Sequence, residues 1–275
     1  MSLQTNDRQY RLGFIGGGKL AGSVMRGLVR AKFCPPEQIL VSEPNATART
    51  ALGEELGGIG LTAENAEVAE RAEVIFIGVK PGVVLNVIAG MSRGIEGKLV
   101  VSLAAGIRVA SMEEKGEARF MRAMTNTPAA VCQAATAIAR GSRTTDEDMA
   151  MLHRIFSSIG TVIEVKEAQV DAVTALAGSG PAFVYTVIEA LAVGGEKCGL
   201  PAEVSLGLAT QTVRGAAQLA LESGRSPEEL RNMVITPGGT TAAGLARMEE
   251  IGSAAGLTAA VEAASARAEE LASDH

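Results

Sequence analysis

The chain has 275 residues, 47% hydrophobic and 20% charged, with a formal net charge of -6. That is ample apolar material for a core, and the acidic balance argues against a polyanion such as nucleic acid as partner. Cys34, Cys132 and Cys198 are odd in number, widely spaced and free of any CxxC pair, and the first residues carry no apolar signal stretch. Three inert, buried thiols in a reducing cytoplasm are therefore expected. Glu189 interrupts the longest apolar run, so no membrane span is expected, and the first ten residues read as a mobile leader.

Taken in chain order, residues 11–15 form a short apolar strand that runs into Gly16-Gly17-Gly18-Lys19-Leu20-Ala21-Gly22. Val24, Met25, Leu28 and Val29 then recur at helical spacing. The spacing Gly16-x-Gly18-x-x-Ala21 fits a dinucleotide fingerprint: one glycine for the tight turn, one for backbone approach to a pyrophosphate, and a small residue for helix–strand packing. Further apolar strands are read at 39–41, 74–79, 99–101, 119–121, 136–139 and 161–165, with helices between them. Thr145 is the expected N-cap of the helix before the last strand. Continuous apolar runs suit strands covered on both faces, so a parallel, doubly wound sheet is expected.

From Ala168 onward only helices are read. Several have clear starts, with Pro201 and Glu203 after Gly199, and Ser226-Pro227-Glu228-Glu229 as a capping box. The change of periodicity divides the chain into residues 1–166 and 167–275. Between Leu206 and Leu221 the helix is apolar nearly all round, broken only by Gln211, Arg214 and Gln218. A helical half this small cannot cover such a helix alone, so a second subunit is expected on it.

Thr236-Pro237-Gly238-Gly239-Thr240-Thr241 interrupts the helices with a loop poor in side chains. It reads either as a helix–helix turn or as a cluster of backbone N–H donors for a carboxylate. The rest of the chemistry is sparse. There are two histidines, His153 and His275, and no cluster with metal-ligand spacing. Chemistry without a strong acid or base points to hydride transfer onto an acceptor that is already polarised, such as an iminium carbon.

Asp171-Ala172-Val173-Thr174-Ala175-Leu176-Ala177-Gly178-Ser179-Gly180-Pro181-Ala182-Phe183, then Gly199-Leu200-Pro201 and the Pro237-to-Thr241 loop, resemble the signature of pyrroline-5-carboxylate reductases. Val79-Lys80-Pro81, Ala104-Ala105-Gly106 and Met124-Thr125-Asn126-Thr127-Pro128 are similar to that family as well. The resemblance covers nearly the whole chain. It implies an N-terminal Rossmann-type doubly wound α/β domain followed by an all-α dimerisation domain. It also implies reduction of 1-pyrroline-5-carboxylate to L-proline by NAD(P)H, the last step of proline synthesis.

By the same resemblance, Gly16, Gly17, Gly18, Lys19, Leu20 and Ala21 hold the pyrophosphate, while Val79, Lys80, Pro81, Ala104, Ala105 and Asn126 line the ribose and nicotinamide. Lys80 also reads as a surface lysine and Asn126 as a turn residue. Glu167 stands either near the substrate or as a charge at a helix N-terminus. Gly238, Gly239, Thr240 and Thr241 bind the substrate carboxylate, with the Thr241 hydroxyl on the ring nitrogen. Ser179 reads as the cap of a helix starting at Pro181, and Tyr185 and Glu189 as packing residues.

Coenzyme choice is balanced between Glu43, which suits the ribose hydroxyls of NADH, and Ser42 and Asn65, which resemble 2′-phosphate contacts. The reading leans to NADPH with NADH as the alternative. A homodimer, with room for a larger homo-oligomer, is expected. Two other reductases compete: one acting on a different cyclic imine, and a β-hydroxyacid dehydrogenase, although residues 168–192 lack the lysine that the latter family resemblance requires. A non-catalytic nucleotide-binding scaffold is the third competitor.

Overall fold

The computed structural model describes residues 9–273. His275 and residues 1–8 of the expected leader lie outside the described residues. Tyr10, counted with that leader, instead opens the first strand and is buried.

Eight strands form one sheet in the order β3-β2-β1-β4-β5-β6-β7-β8. They are β1 (Tyr10–Ile15), β2 (Ile39–Ser42), β3 (Gly60–Thr62), β4 (Ala72–Ile77), β5 (Leu99–Ser102), β6 (Arg119–Met124), β7 (Ala134–Arg140) and β8 (Gly160–Glu164). Helices α1 (Lys19–Arg30), α2 (Ala46–Leu56), α3 (Asn65–Arg71), α4 (Val84–Met91), α5 (Val109–Glu113) and α6 (Asp146–Ser157) lie between them. The central strands are buried almost throughout, as their unbroken apolar sequences require of strands covered on both faces. One buried cluster holds Leu12, Phe14, Val24, Leu28, Phe76 and Phe156, and a second holds Ile15, Ile75, Ile77, Val100 and Phe120.

Two features depart from the expected sheet. Strand β3 was not anticipated, because three residues beginning with glycine carry little strand signal. Strands β6 and β7 pair antiparallel, since the connection between them holds only a short 3-10 turn, Thr127–Val131, and a parallel return needs a crossover of a dozen residues or more. Helix α6 then supplies such a crossover, and β7 and β8 are parallel. Its N-terminus carries the expected cap: Thr145 and Asp148 exchange side-chain and backbone hydrogen bonds.

The remaining elements are helical: α7 (Val170–Val173), a π turn (Thr174–Gly178), α8 (Gly180–Lys197), α9 (Ala202–Glu222), α10 (Pro227–Met233), α11 (Thr240–Glu250) and α12 (Ser253–Ser273). The expected break at Ser179 is only a bend. Glu167–Lys197 forms one helical stretch, in which the π turn ends at Gly178 and α8 resumes at Gly180. By length and composition alone this stretch is apolar enough to cross a membrane, with a hydropathy of 1.4, despite Glu189. Its charge-free run, residues 172–188, still ends at Glu189, as the sequence reading expected.

The chain divides into two compact units, residues 1–179 with 264–275, and residues 180–263. In the second unit α8 packs on α9, and Ser226 with Glu229 forms the expected capping box of α10.

Candidate active site

The first unit builds its site at the carboxyl ends of β1, β4, β5 and β6. Gly16 follows β1 with φ +92°, a left-handed conformation suited to glycine, and its N–H donates to Ser42 O at 2.8 Å. Gly18 is the N-cap of α1, in extended conformation, and a Cβ there would approach only Gly78 O, at 3.9 Å. The outer face of the turn is therefore open to a ligand. Where α1 passes β4 the fit is close: a Cβ on Gly78 would stand 2.6 Å from that of Ala21. No side chain caps α1 and no acidic residue stands in its first turn, so its leading N–H groups and dipole are available to an anion. These residues fit a dinucleotide pyrophosphate.

A cleft of about 370 Å³ opens beside this turn, lined by Lys19, Leu20, Val79, Pro81, Ala104, Ala105 and Asn126 among others. Lys80 is exposed and does not line it. Asn126 is fixed at both ends of its amide. Its Nδ2 donates to Ala177 O at 3.1 Å and its Oδ1 accepts from Ala135 N at 3.2 Å. Ala177 belongs to the π turn, and Gly178 at the end of that turn forms part of the cleft wall. Gly178, Met124 and Thr125 were not singled out as ligand residues, although each lies in a motif that carried the family resemblance.

At the end of β2, Ser42 is fully buried, and its hydroxyl donates to Asn65 Oδ1 at 2.7 Å. Glu43 is half-buried beside the glycine turn. Its carboxylate accepts from Gly17 N and from Asn45 N, each at 3.0 Å.

Glu167 also lies in the first unit, where its carboxylate accepts from Val109 N at 2.6 Å and faces the guanidinium of Arg122 at 3.5 Å. Arg122, on β6, is 1% exposed. Asp171 lies 3.8 Å from it on the other side and pairs with Arg108 at 2.7 Å. Burial pushes the Arg122 pKa down, while Glu167 and then Asp171 oppose that shift. This four-charge cluster was missed in the sequence.

In the second unit, Gly238 has φ +70° and Gly239 caps α11. A Cβ on Gly239 would stand 2.2 Å from Thr236 Oγ1, so a larger residue there would have to turn the Thr236 side chain away. Gly239 N donates to Thr236 O, which closes the turn and leaves the first N–H groups of α11, from Thr240 onward, without a side-chain cap. The Thr241 hydroxyl makes no hydrogen bond to another described residue.

The family model described as pyrroline-5-carboxylate reductase dimerisation matches residues 167–271, and one described as NADP oxidoreductase, coenzyme F420-dependent, matches residues 11–106. A pyrroline-5-carboxylate reductase of Pisum sativum is 42% identical over 95% of this chain and 96% of its own length. The chain belongs to the pyrroline-5-carboxylate reductase family. Among solved structures, the Plasmodium falciparum pyrroline carboxylate reductase with NADP bound matches with a TM-score of 0.86 at 28% identity, over 96% of this chain and 98% of that one. The Coxiella burnetii pyrroline-5-carboxylate reductase also gives 0.86, at 33% identity over 96% and 99%.

The dimerisation match accounts for the surface of the helical half. Leu206, Leu208, Leu219 and Leu221 on α9 are each more than half exposed, as a pyrroline-5-carboxylate reductase helix that meets another subunit would be in a single chain. Tyr185 is likewise exposed, and Glu189 lines a groove between α8 and α9 with Val193, Ala202 and Leu206. The thiols correct an expectation. All three are free, but only Cys34 is buried, Cys132 is half-buried, and Cys198 is exposed just past the end of α8.

Proposed function

We propose that this chain reduces 1-pyrroline-5-carboxylate to L-proline as a homodimer, open to larger assembly, in the cytoplasm. The observation that carries the reading is a pair of helix N-termini. Helices α1 and α11 each start from a glycine N-cap, with no side-chain cap and no acidic residue in the first turn. Both are built to receive an anion, one a dinucleotide pyrophosphate and the other the carboxylate of a small substrate.

NADPH, when bound, supplies the hydride. The chain supplies placement. Gly16, Gly17, Gly18, Lys19, Leu20 and Ala21 hold the pyrophosphate, and Val79, Pro81, Ala104, Ala105 and Asn126 form the ribose and nicotinamide cleft, with Lys80 at its rim. Gly238, Gly239, Thr240 and Thr241 hold the substrate carboxylate through backbone N–H groups, and the Thr241 hydroxyl orients the ring nitrogen. Ser42 and Asn65, hydrogen-bonded to each other, support the adenosine end from below. Glu167 braces the cleft from the first unit through Val109 and Arg122. An iminium carbon is already electrophilic, so this site needs no strong general acid, in keeping with a cleft that no histidine lines among the described residues. Residues 1–166 form the coenzyme half and residues 167–275 the substrate and assembly half, although Gly178 of the latter lines the coenzyme cleft. Three free thiols suit a reducing compartment.

The test is NADPH oxidation with 1-pyrroline-5-carboxylate, with L-proline identified as product. A higher kcat/KM on the six-membered ring imine would move the assignment to another cyclic imine. NADPH binding without turnover on either ring would leave a nucleotide-binding scaffold.

A further inference from the structure

We propose that Arg122 is a positioning residue for hydride transfer, setting from β6 where the π turn presents Gly178 to the cleft. The proposal rests on the reading of that cleft as the nicotinamide site. Glu167 and Asp171 are spaced i, i+4 on one face of the helical stretch, and both turn a carboxylate to the Arg122 guanidinium, at 3.5 and 3.8 Å. Each carboxylate has a second partner in the segment after β5: Val109 N for Glu167, at 2.6 Å, and Arg108 Nη2 for Asp171, at 2.7 Å. Three segments therefore meet at the cluster. Each also carries cleft residues a short way along the chain: Ala104 and Ala105 after β5, Met124 to Asn126 at the end of β6, and Gly178 at the end of the π turn.

The same three segments touch again at the cleft. Arg122 and Met124 alternate with Ala123 on β6 and so share a face of the strand. A Cβ on Gly178 would stand 3.5 Å from Met124 Sδ, and Ala105, Val170 and Val173 pack with Met124 in one apolar cluster. In an α-helix Ala177 O would accept from the residue four further on, but that residue is Pro181, which has no N–H. Asn126 Nδ2 donates to Ala177 O instead, at 3.1 Å. The π turn is thus tied to the β6 segment at its end through Asn126 and ahead of its start through Arg122.

Stability alone does not account for such a cluster. Desolvation offsets the attraction between buried charges, and apolar side chains of similar volume in place of the whole group would hold the fold as well. What the guanidinium adds is its planar fork, which can face two carboxylates at once and fix their spacing, as neither an apolar side chain nor the point charge of lysine does. Spacing at a cleft wall decides the distance from hydride donor to acceptor, where a misplacement of about 1 Å costs about a hundredfold in rate.

The test compares wild type, Arg122→Met, Arg122→Lys and, as a control, Asp148→Asn, which breaks an ion pair with Arg119 on the same strand but away from the cleft lining. All are measured at a temperature where circular dichroism shows each folded. Arg122→Met should bind NADPH in calorimetry within about threefold of wild type, because the pyrophosphate turn is intact. Its kcat with 1-pyrroline-5-carboxylate should fall about tenfold or more. The isotope effect on kcat with NADPH deuterated at the transferred position should rise, and the fluorescence of bound NADPH should change as the nicotinamide is held less firmly. Arg122→Lys, which keeps the cation without the fork, should fall between, and Asp148→Asn should lose stability alone. If Arg122→Met keeps kcat within about threefold of wild type, or loses it with isotope effect and bound fluorescence unchanged, Arg122 only holds the fold and the proposal falls. Should Arg122→Met not fold, the same criteria decide the matter on Arg122→Lys. If wild type binds NADPH but reduces no cyclic imine, the functional reading itself falls, and this proposal with it.

Discussion

Arg122 and Glu167 face each other across 3.5 Å in the first unit, with the arginine side chain 1% exposed. Neither of its Nη atoms nor its Nε reaches hydrogen-bond geometry, so the guanidinium is held by charge from Glu167 and Asp171. Replacing it with methionine removes the cation and strands Asp171, which is 4% exposed, with Arg108 as its remaining partner. Breaking such a buried pair costs about 3–5 kcal/mol, so Arg122→Met should lower the urea midpoint accordingly. The double variant Arg122→Met, Asp171→Asn should lose less than the two single losses added together.

Gly18 is the most selective place to disturb the coenzyme. Its backbone is extended, at φ -65° and ψ -178°, and a Cβ would meet nothing closer than 3.9 Å. Gly18→Val should therefore leave the unfolding free energy within about 1 kcal/mol of wild type. NADPH affinity should fall at least tenfold, about 1.4 kcal/mol, because the valine occupies the open face of the turn. Unchanged affinity in calorimetry would place the coenzyme elsewhere.

Thr241→Val keeps the backbone N–H and the shape of the side chain. If the hydroxyl orients the charged ring nitrogen as proposed, the variant deletes a hydrogen bond worth about 1.5–3 kcal/mol, so kcat/KM should fall about 10- to 150-fold with NADPH binding unchanged. An equal loss of coenzyme affinity would assign Thr241 to the wrong ligand.

Asp148 provides a test of pH dependence. Burial pushes its pKa up, but the hydrogen bonds from Arg119, at 2.7 and 3.0 Å, and from Thr145 outweigh this and hold it below its ordinary value. A carboxylate whose folded pKa is depressed contributes fully above the unfolded value of about 4 and loses that contribution as pH falls through the folded value. Asp148→Asn should cost about 1–3 kcal/mol at neutral pH. In urea titrations the gap from wild type should narrow below about pH 4, and a constant gap would contradict the assignment.

Ala216 lies on the exposed surface of α9. If another subunit covers that helix, Ala216→Glu buries an unpaired charge and should dissociate the assembly in light scattering. A variant with wild-type mass would move the interface to another face.

The parts of the fold legible in the sequence were those with a local physical signature. The glycine turn, the cap at Thr145, the box at Ser226 and the long apolar strands each impose their structure within a few residues. Strand direction has no such signature, because an apolar run reads the same both ways, and the antiparallel β6–β7 pair was missed for that reason. Arg122 was passed over because a single arginine in a strand is usually on the solvent side, and its carboxylates come from 45 or more residues further along the chain. The Ser42–Asn65 hydrogen bond joins residues 23 apart in the chain, a pairing that neither position announces by itself. At the π turn, glycine and proline were weighed as helix breakers, whereas the helical stretch runs through them.

Gly27 on α1 packs directly on the main chain of the Thr127–Val131 turn, where a Cβ would stand 2.2 Å from Ala129 O. Helix α1 carries the proposed coenzyme turn at its start, and Asn126 is the N-cap of the opposing turn. The spacing between these two walls of the cleft is therefore set main chain against main chain, with no rotamer between them to act as a shim. Selection for bulkier coenzyme analogues would have to find its room on the side-chain walls, at Val79, Pro81 or Ala104, because this gauge cannot be widened one substitution at a time.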